Sequence, residues 1–511
     1  MKRRHFLQIS PLVSLLPLSA FANLKNKDQK INLPSGTGTK DFFYKPSNAW
    51  AADFIPLFAE GKFQLFYLLD WRDADNHGEG TPWYRISTND FVNFTEHGEM
   101  LPRGTKDEQD LYVFTGSAIH AQNKYHIFYT GHNQHLSDQG KPAQGIMHAV
   151  SDDMNKWEKL PSETFFAPAD KYEKDDWRDA FVFWNEEAKE YNMLIAARFK
   201  KGISRRRGLT ALCASKDLHH WEVKEPFYAP DLYFTHECPD LFKMGEWWYL
   251  LFSEFTDRVR TRYRMSRSLH GSWITPKNDD FDGHAFYAAK TASDGKHRYI
   301  FGWNPTRSNS KDNGGWEWGG NLVVHQIVQE ADGSLSVKVP DTVNAAFRNS
   351  TVPSFANGNG NFKTNQSGVS FNSPHGFSAA VAGKLPDQCK IEMVAQFEKG
   401  TKQLGIMFRC SDDLDKSYYI RLEPANNKLV FDMWPRERSE VDHMAELDRT
   451  IDLHADAPIK LQLFIDGNKG VAYVNDKVAM NFRAYDLPAG NWGVFTTEGV
   501  ATFSDVKIAV L

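Results

Sequence analysis

GKFQLFYLLD, residues 61–70, opens on a polar turn and runs into a strand dense in aromatic and branched apolar residues. Four further stretches share its design: NKYHIFYTGH from Asn123, KEYNMLIAARF from Lys189, GEWWYLLFSEF from Gly245 and GKHRYIFGW from Gly295. They recur every 50 to 66 residues, a period that signals a repeated unit. A second element follows three of them: TNDFVNF, SDDMNKW and SKDLHHW. In each, an aspartate (Asp90, Asp153, Asp217) precedes an apolar residue and then Phe94, Trp157 or Trp221. Two matching elements in the same order argue against a set of unrelated hairpins. Helical periodicity is scarce. The spacing predicts an all-β protein whose residues 23–340 form a five-bladed β-propeller. A Gly-, Asn- and Ser-rich passage, SFANGNGNFKTNQSG from Ser354, predicts a linker over 341–365. Closely spaced alternating strands from CKIEMVAQFEKG to ATFSDVKIAVL predict a β-sandwich over 366–511.

The N-terminus, MKRRHFLQISPLVSLLPLSAFAN, has a basic start, an apolar stretch too short to span a bilayer, and Ala20-Phe21-Ala22. Residues 1–22 therefore read as a signal peptide, and Arg3-Arg4 before Phe6-Leu7 suits the twin-arginine route. Export to the periplasm or the exterior follows as an expectation, and no other segment could span a membrane. The net charge of −5 and the lack of a long basic run exclude nucleic acid as a natural partner. Arg205-Arg206-Arg207 reads as a solvated turn. Aromatics make up 14% of the chain, which suits stacking on the C–H faces of sugars and equally suits a β-rich core. The four cysteines, Cys213, Cys238, Cys389 and Cys410, lack zinc-site spacing. Whether Cys389 and Cys410 pair, and the oligomeric state, are not legible.

Equivalent positions in a propeller lie around one axis. Asp53 stands ten residues before Phe63, Glu237 ten before Trp247, and Asp179 twelve before Tyr191. All three acids therefore start inner strands and should converge at one mouth of the axial funnel, with Gly116-Ser117 at the second position. Clustered carboxylates repel, which raises at least one pKa and marks a site made for function. Glycoside hydrolysis needs this set: a proton donor on one side of the anomeric carbon and a carboxylate on the other. Turn caps and a calcium site are the rival readings; no sequential acid-rich loop supports calcium.

At these residues the chain resembles glycoside hydrolase family 32, the invertase, inulinase and levanase family. HECPDLF from His236 is similar to that family's Glu-Cys motif, WRDAFVF from Trp177 to its Arg-Asp-Pro motif, and VFTGSAIH from Val113 to its Phe-Ser-Gly-Ser segment. FYA from Phe286, WEWGGNL from Trp316 and the closing GVATFSDVKIAVL add to the resemblance. The resemblance implies a retaining hydrolase acting on terminal furanosides, with Asp53 as nucleophile, Glu237 as acid/base and Asp179 as transition-state stabiliser. It implies a carbohydrate substrate, β-fructofuranosides first, and no metal or organic cofactor. Candidate substrate contacts are Trp50, Asp70, Trp83, Phe114, Ser117, Arg178 and Trp316, with Trp303 and Trp318 as further parts of a stacking wall. His236 orients or packs beside Glu237; it has no partner at metal-ligand spacing.

The chain also departs from the family. Asp53 sits in Trp50-Ala51-Ala52-Asp53-Phe54-Ile55-Pro56 rather than Trp-Met-Asn-Asp-Pro-Asn-Gly, Arg-Asp-Pro has become Arg178-Asp179-Ala180, and Ala285 replaces an acid. An arabinofuranosidase-type hydrolase of the family 43 kind, inverting or retaining, and a non-catalytic glycan-binding protein stay open on the residues alone.

Overall fold

The computed structural model describes residues 40–435 and 447–511; the expected signal peptide, 1–22, lies outside the described residues. Among the described residues the regular structure is almost wholly antiparallel strand, with only short helices. Tight reversals set the local pattern. Glu60 and Gly61 (φ 54° and 71°) and Gln122 and Asn123 (φ 51° and 63°) hold both turn positions left-handed. That backbone matches the twist of the two strands it joins. The second repeated element is a turn closed by its aspartate. Asp90 Oδ1 accepts from the backbone of Val92 and Asn93, Asp153 Oδ1 from Asn155 and Lys156, and Asp217 Oδ1 from His219 and His220. Between them Phe91, Met154 and Leu218 are left-handed and buried, so each turn pins an apolar plug into the core.

Five inner strands carry the architecture: Trp50–Ala59, Tyr112–Ala121, Tyr172–Asn185, Glu237–Met244 and Tyr287–Ser293. Each pairs with the aromatic strand that follows it. The second, third and fourth begin separate sheets. The first and fifth belong to one eight-stranded sheet, joined where Ala51 pairs with Gly320. The inner strands touch in a cycle: first to second, second to third, third to fourth, fourth to fifth, and fifth back to first.

Every inner strand is irregular at least once, and the third slips a second time between Tyr172 and Trp177. Ladder register slips between Ala52 and Ile55, at Thr115, at Asp179-Ala180, at Cys238-Pro239 and at Ala288-Ala289. Asp53, Asp179, Cys238 and Ala288 have φ of 45°, 61°, 50° and 51°. A non-glycine residue in that region costs about 1 kcal/mol or more, and a bulge re-aims the side chains around it.

The remaining strands form one thirteen-stranded sheet system folded around its own apolar core, with Asn491–Val510 pairing to four other strands. The expected linker, 341–365, holds a short helix, Asp341–Ala346, and the strands Asn349–Thr351, Asn357–Asn359 and Phe362–Thr364; all three strands pair into this sheet system. Its junction with the inner-strand region combines an apolar contact, where Phe464 and Val471 join the core cluster of Phe42, Phe43 and Val323, with a polar network. Asp282 accepts from the backbone and side chain of Asn481, and it pairs with His325, which in turn meets the Tyr473 hydroxyl at 2.8 Å. Arg449 grips Asp280, and Arg483 donates to Asn304 and Asn321. All four cysteines are free and buried, Cys389 and Cys410 included. Among the described residues no helix is long and apolar enough to cross a membrane.

Candidate active site

The bulges bring the predicted acids together. Asp53 lies within its bulge, Asp179 within another, and Glu237 immediately before a third. Direct bonds tie Glu237 and Asp179 together. Arg178 donates to Glu237 Oε1 at 2.9 Å and to Asp176 at 2.7 Å, and its Nε lies 3.6 Å from Asp179. The backbone N–H of Cys238, freed by its bulge, donates to Asp179 Oδ2 at 3.0 Å. Cys238 and Pro239 therefore shape the strand that aims Glu237.

Two donors hold Asp53: Thr115 Oγ1 at 2.5 Å and Trp303 Nε1 at 2.8 Å. Glu237 accepts from the Tyr287 hydroxyl at 2.7 Å through its other oxygen. Tyr287 and Trp303 sit edge to face, their rings 5.9 Å apart, so one aromatic pair touches both Asp53 and Glu237.

Burial dominates the electrostatics. It pushes the Asp53 carboxyl up to about 7; the Thr115 and Trp303 donors oppose that rise, while Asp179 and Glu237 add to it. Burial raises Asp179 as well, against the pull of Arg178, with Glu237 adding to the rise. For Arg178 burial acts the other way, but Glu237, Asp176 and Asp179 together hold the guanidinium above its ordinary value, so it stays charged. The site thus offers two acids with raised proton affinity, a half-buried glutamate and a fixed cation. That combination suits acid/base and nucleophilic work at a sugar.

The candidate substrate contacts divide. Trp50 is half-buried, with the Arg72 guanidinium 4.9 Å over its ring. Asp70 accepts from the Arg72 backbone, and Arg72 reaches Glu317, Thr306 and the Trp318 carbonyl, clamping the segment that follows Trp316. Phe114 is half-buried and stacks on His132 at 4.7 Å. Arg178 joins the acids directly.

Three candidates are placed elsewhere. Trp83 is fully buried in a core cluster and donates to the Val113 carbonyl, so no face of it is open to a sugar. Its strand, Trp83–Thr88, lies two strands out from the inner strand Trp50–Ala59. Ser117 is buried and accepts from the Val182 backbone, tying the second inner strand to the third. The bulge at Thr115 shifts the alternation, so Thr115 faces Asp53 in place of the expected Gly116-Ser117. Trp316 lies under Arg307 at 4.1 Å and packs against the core of the thirteen-stranded sheet.

His236 packs: its ring stacks on Phe252 at 4.4 Å, and burial pushes its pKa down to about 3. Asp240, unassigned from sequence, accepts from the Thr291 backbone and locks the fourth inner strand to the fifth. Among the described residues, the cluster with metal-ligating atoms close together is His148, Glu163 and His219, not the acids.

Thr115, Tyr287 and Trp303 were not singled out as touching the acids, yet two of them obey the spacing that found the acids. Thr115 stands ten residues before Tyr125, and Tyr287 twelve before Tyr299.

Comparison with known proteins gives two family matches. The model described as "Glycosyl hydrolases family 32 N-terminal domain" matches residues 43–336, and "GH32, BT1760-like, C-terminal domain" matches 333–508. A sucrose-6-phosphate hydrolase of Vibrio alginolyticus is 26% identical over 294 residues, covering 54% of this chain and 57% of that protein. A levanbiose-producing levanase of Bacillus subtilis is 28% identical over 194 residues, covering 37% of this chain and 34% of its own. The chain thus spans about half or less of the lengths of these curated relatives. Among solved structures, sucrose-6-phosphate hydrolase from Lactobacillus gasseri superposes with a TM-score of 0.71 at 18% identity, covering 93% of both chains. Fructan 1-exohydrolase IIa from Cichorium intybus gives 0.72 at 16%, covering 93% of this chain and 97% of its own. At those identities the likeness is one of fold.

Proposed function

The chain belongs to glycosyl hydrolase family 32, and from that premise we propose that it is a retaining hydrolase of terminal β-fructofuranosides. The observation that carries the reading is the grouping of the three acids: Arg178 bridges Glu237 and Asp179, and the edge-to-face pair of Tyr287 and Trp303, each bonded to one acid, links Glu237 to Asp53. The five inner strands touching in a cycle support a five-bladed propeller around it, with the thirteen-stranded sheet system as the sandwich.

In the first step the Asp53 carboxylate attacks the anomeric carbon as the bond to the leaving oxygen breaks, and Glu237 gives that oxygen its proton. A fructosyl ester of Asp53 results. In the second, water attacks the same carbon, Glu237 takes its proton, and Asp53 departs as carboxylate. Asp179 accepts from sugar hydroxyls and favours the positive charge developing on the ring. Thr115 and Trp303 donate to both oxygens of Asp53 and set its attack direction. The first step needs Asp53 as the carboxylate and the transferable proton on Glu237.

The substrate class rests on the family and on relatives named as levanases and sucrose-6-phosphate hydrolases. Export is supported by the leader-like residues 1–22 and the Ala20-Phe21-Ala22 pattern. The test is a panel of sucrose, inulin, levan and arabino-oligosaccharides with product stereochemistry followed by NMR. Fructose released with retention is the expected result, abolished in Asp53→Asn. Inactivity on every fructoside, or inversion, overturns the reading.

A further inference from the structure

His148 belongs to the strand Gln144–Ser151, and Glu163 to the 3-10 turn Pro161–Glu163 that follows the same sheet. His219 lies in the Asp217-closed turn of the neighbouring sheet. The three meet at the seam. His148 Nδ1 is 2.7 Å from one Glu163 oxygen and His219 Nδ1 is 2.9 Å from the other. All candidate ligand atoms lie within 4.8 Å of one another.

The arrangement is built rather than incidental. His148 is locked in a slot between rings, stacked on Phe128 at 4.3 Å and on His126 at 5.2 Å. Its outer nitrogen, Nε2, lies 3.0 Å from Nδ1 of buried His126, whose own Nε2 is buried with no hydrogen-bond partner. A histidine that binds a metal through one nitrogen hands its other N–H to an orienting partner, and His126 stands where that partner belongs. With the His148 proton on that side, its Nδ1 lone pair faces a carboxylate, a repulsion that a cation between them relieves. His219 is not required by its turn. The same place holds Val92 and Asn155 in the other two copies, and Asp217 closes the turn without the imidazole.

We propose that His148 and His219, each through Nδ1, and the Glu163 carboxylate bind one divalent transition-metal ion of the zinc type, with His126 positioning His148. Two imidazoles and a carboxylate are a donor set zinc accepts. Zinc–ligand bonds near 2.1 Å in a tetrahedron place ligand atoms roughly 3.4 Å apart, so the pairs now at 2.7 and 2.9 Å must open by about half an ångström or a little more, while the third pair lies within 4.8 Å. Side-chain exposure of 39% at His219 and 24% at Glu163 gives an ion access from solvent. The ion would staple two neighbouring sheets at their outer edge, a structural role apart from the acids.

The test uses the full chain stripped with a chelator. Zinc is titrated calorimetrically and cobalt(II) by its visible bands. The expected result is one equivalent of either ion, tetrahedral cobalt bands and a raised Tm with zinc. His219→Ala, at an exposed turn position that the fold tolerates, and Glu163→Gln should each weaken binding by more than about 100-fold, and His126→Gln by roughly 10–100-fold. His220→Ala, at a neighbouring residue with an 89% exposed side chain, should bind as the parent does. Absence of stoichiometric binding by the parent chain, equal affinity in parent and His219→Ala, or a loss in His220→Ala alone would overturn the proposal.

Discussion

Replacing Thr115 with valine removes one of the two donors to Asp53 without changing side-chain shape. The hydroxyl donates at 2.5 Å to a carboxylate in a site where burial already lifts Asp53 to about 7. A hydrogen bond to a charged group contributes about 1.5–3 kcal/mol. At about 1.4 kcal/mol per pKa unit, its loss moves Asp53 up by roughly 1–2 units. Attack needs the ionised carboxylate, so the acidic limb of kcat/KM for fructoside hydrolysis moves to higher pH by the same amount. Below the limb, activity falls roughly 10- to 100-fold relative to the parent, and above it the two profiles approach one another. The assay is fructose release across the pH range, with circular dichroism confirming the fold. Trp303→Phe, which removes the other donor, should shift the limb in the same direction. An acidic limb that stays in place, with activity reduced equally at every pH, would refute the reasoning: the bond would then only aim Asp53.

Three further outcomes are expected. Glu237→Gln should lower kcat by roughly 10²–10⁴-fold, less for an aryl fructoside whose leaving group needs no proton; a loss independent of leaving group would count against the acid role. Asp53→Asn should stabilise the protein more at pH 8 than at pH 4. The folded carboxyl, at about 7, binds its proton more tightly than the unfolded one near 3.8, so stability falls as pH rises between those values, on the order of 4 kcal/mol in all; thermal melts that shift equally at both pH values would contradict this. Asp282→Ala strips the acceptor from His325 and Asn481 in the polar junction and should cost about 3 kcal/mol or more in urea unfolding, with KM unchanged in whatever fraction stays folded.

The aspartate-closed turns were legible because the spacing of Asp90, Asp153 and Asp217 reports a backbone need, and the structure meets it in the same way three times. The acids were legible because offsets from the aromatic strands place them at matched ends. Applied to every copy, those offsets also pick out Thr115 and Tyr287, residues missed because the search was for carboxylates. Ser117 misled because strand alternation puts it on the face of Thr115, and one extra residue at the bulge breaks that alternation. Trp83 misled for another reason. A tryptophan in a β-rich chain looks the same in sequence whether it lines a cleft or fills a core, and only its distance in strands from the axis decides. Trp303 reaches Asp53 across 250 residues of sequence, a contact no local pattern encodes.

The irregular inner strands have a consequence for redesign. Read around the ring at the register slips, the chain spells Asp53, Thr115, Asp179, Glu237 and Tyr287, each at or beside a bulge held by its own ladder. The scaffold behaves as a five-socket fixture: the backbone sets where each side chain is presented, and the residue in the socket sets what it offers. Chemistry could be rewritten by exchanging occupants two or three at a time while leaving the ladders alone. The lost Asn and Pro around Asp53 are then changes of padding near a socket, and the fixture itself is intact.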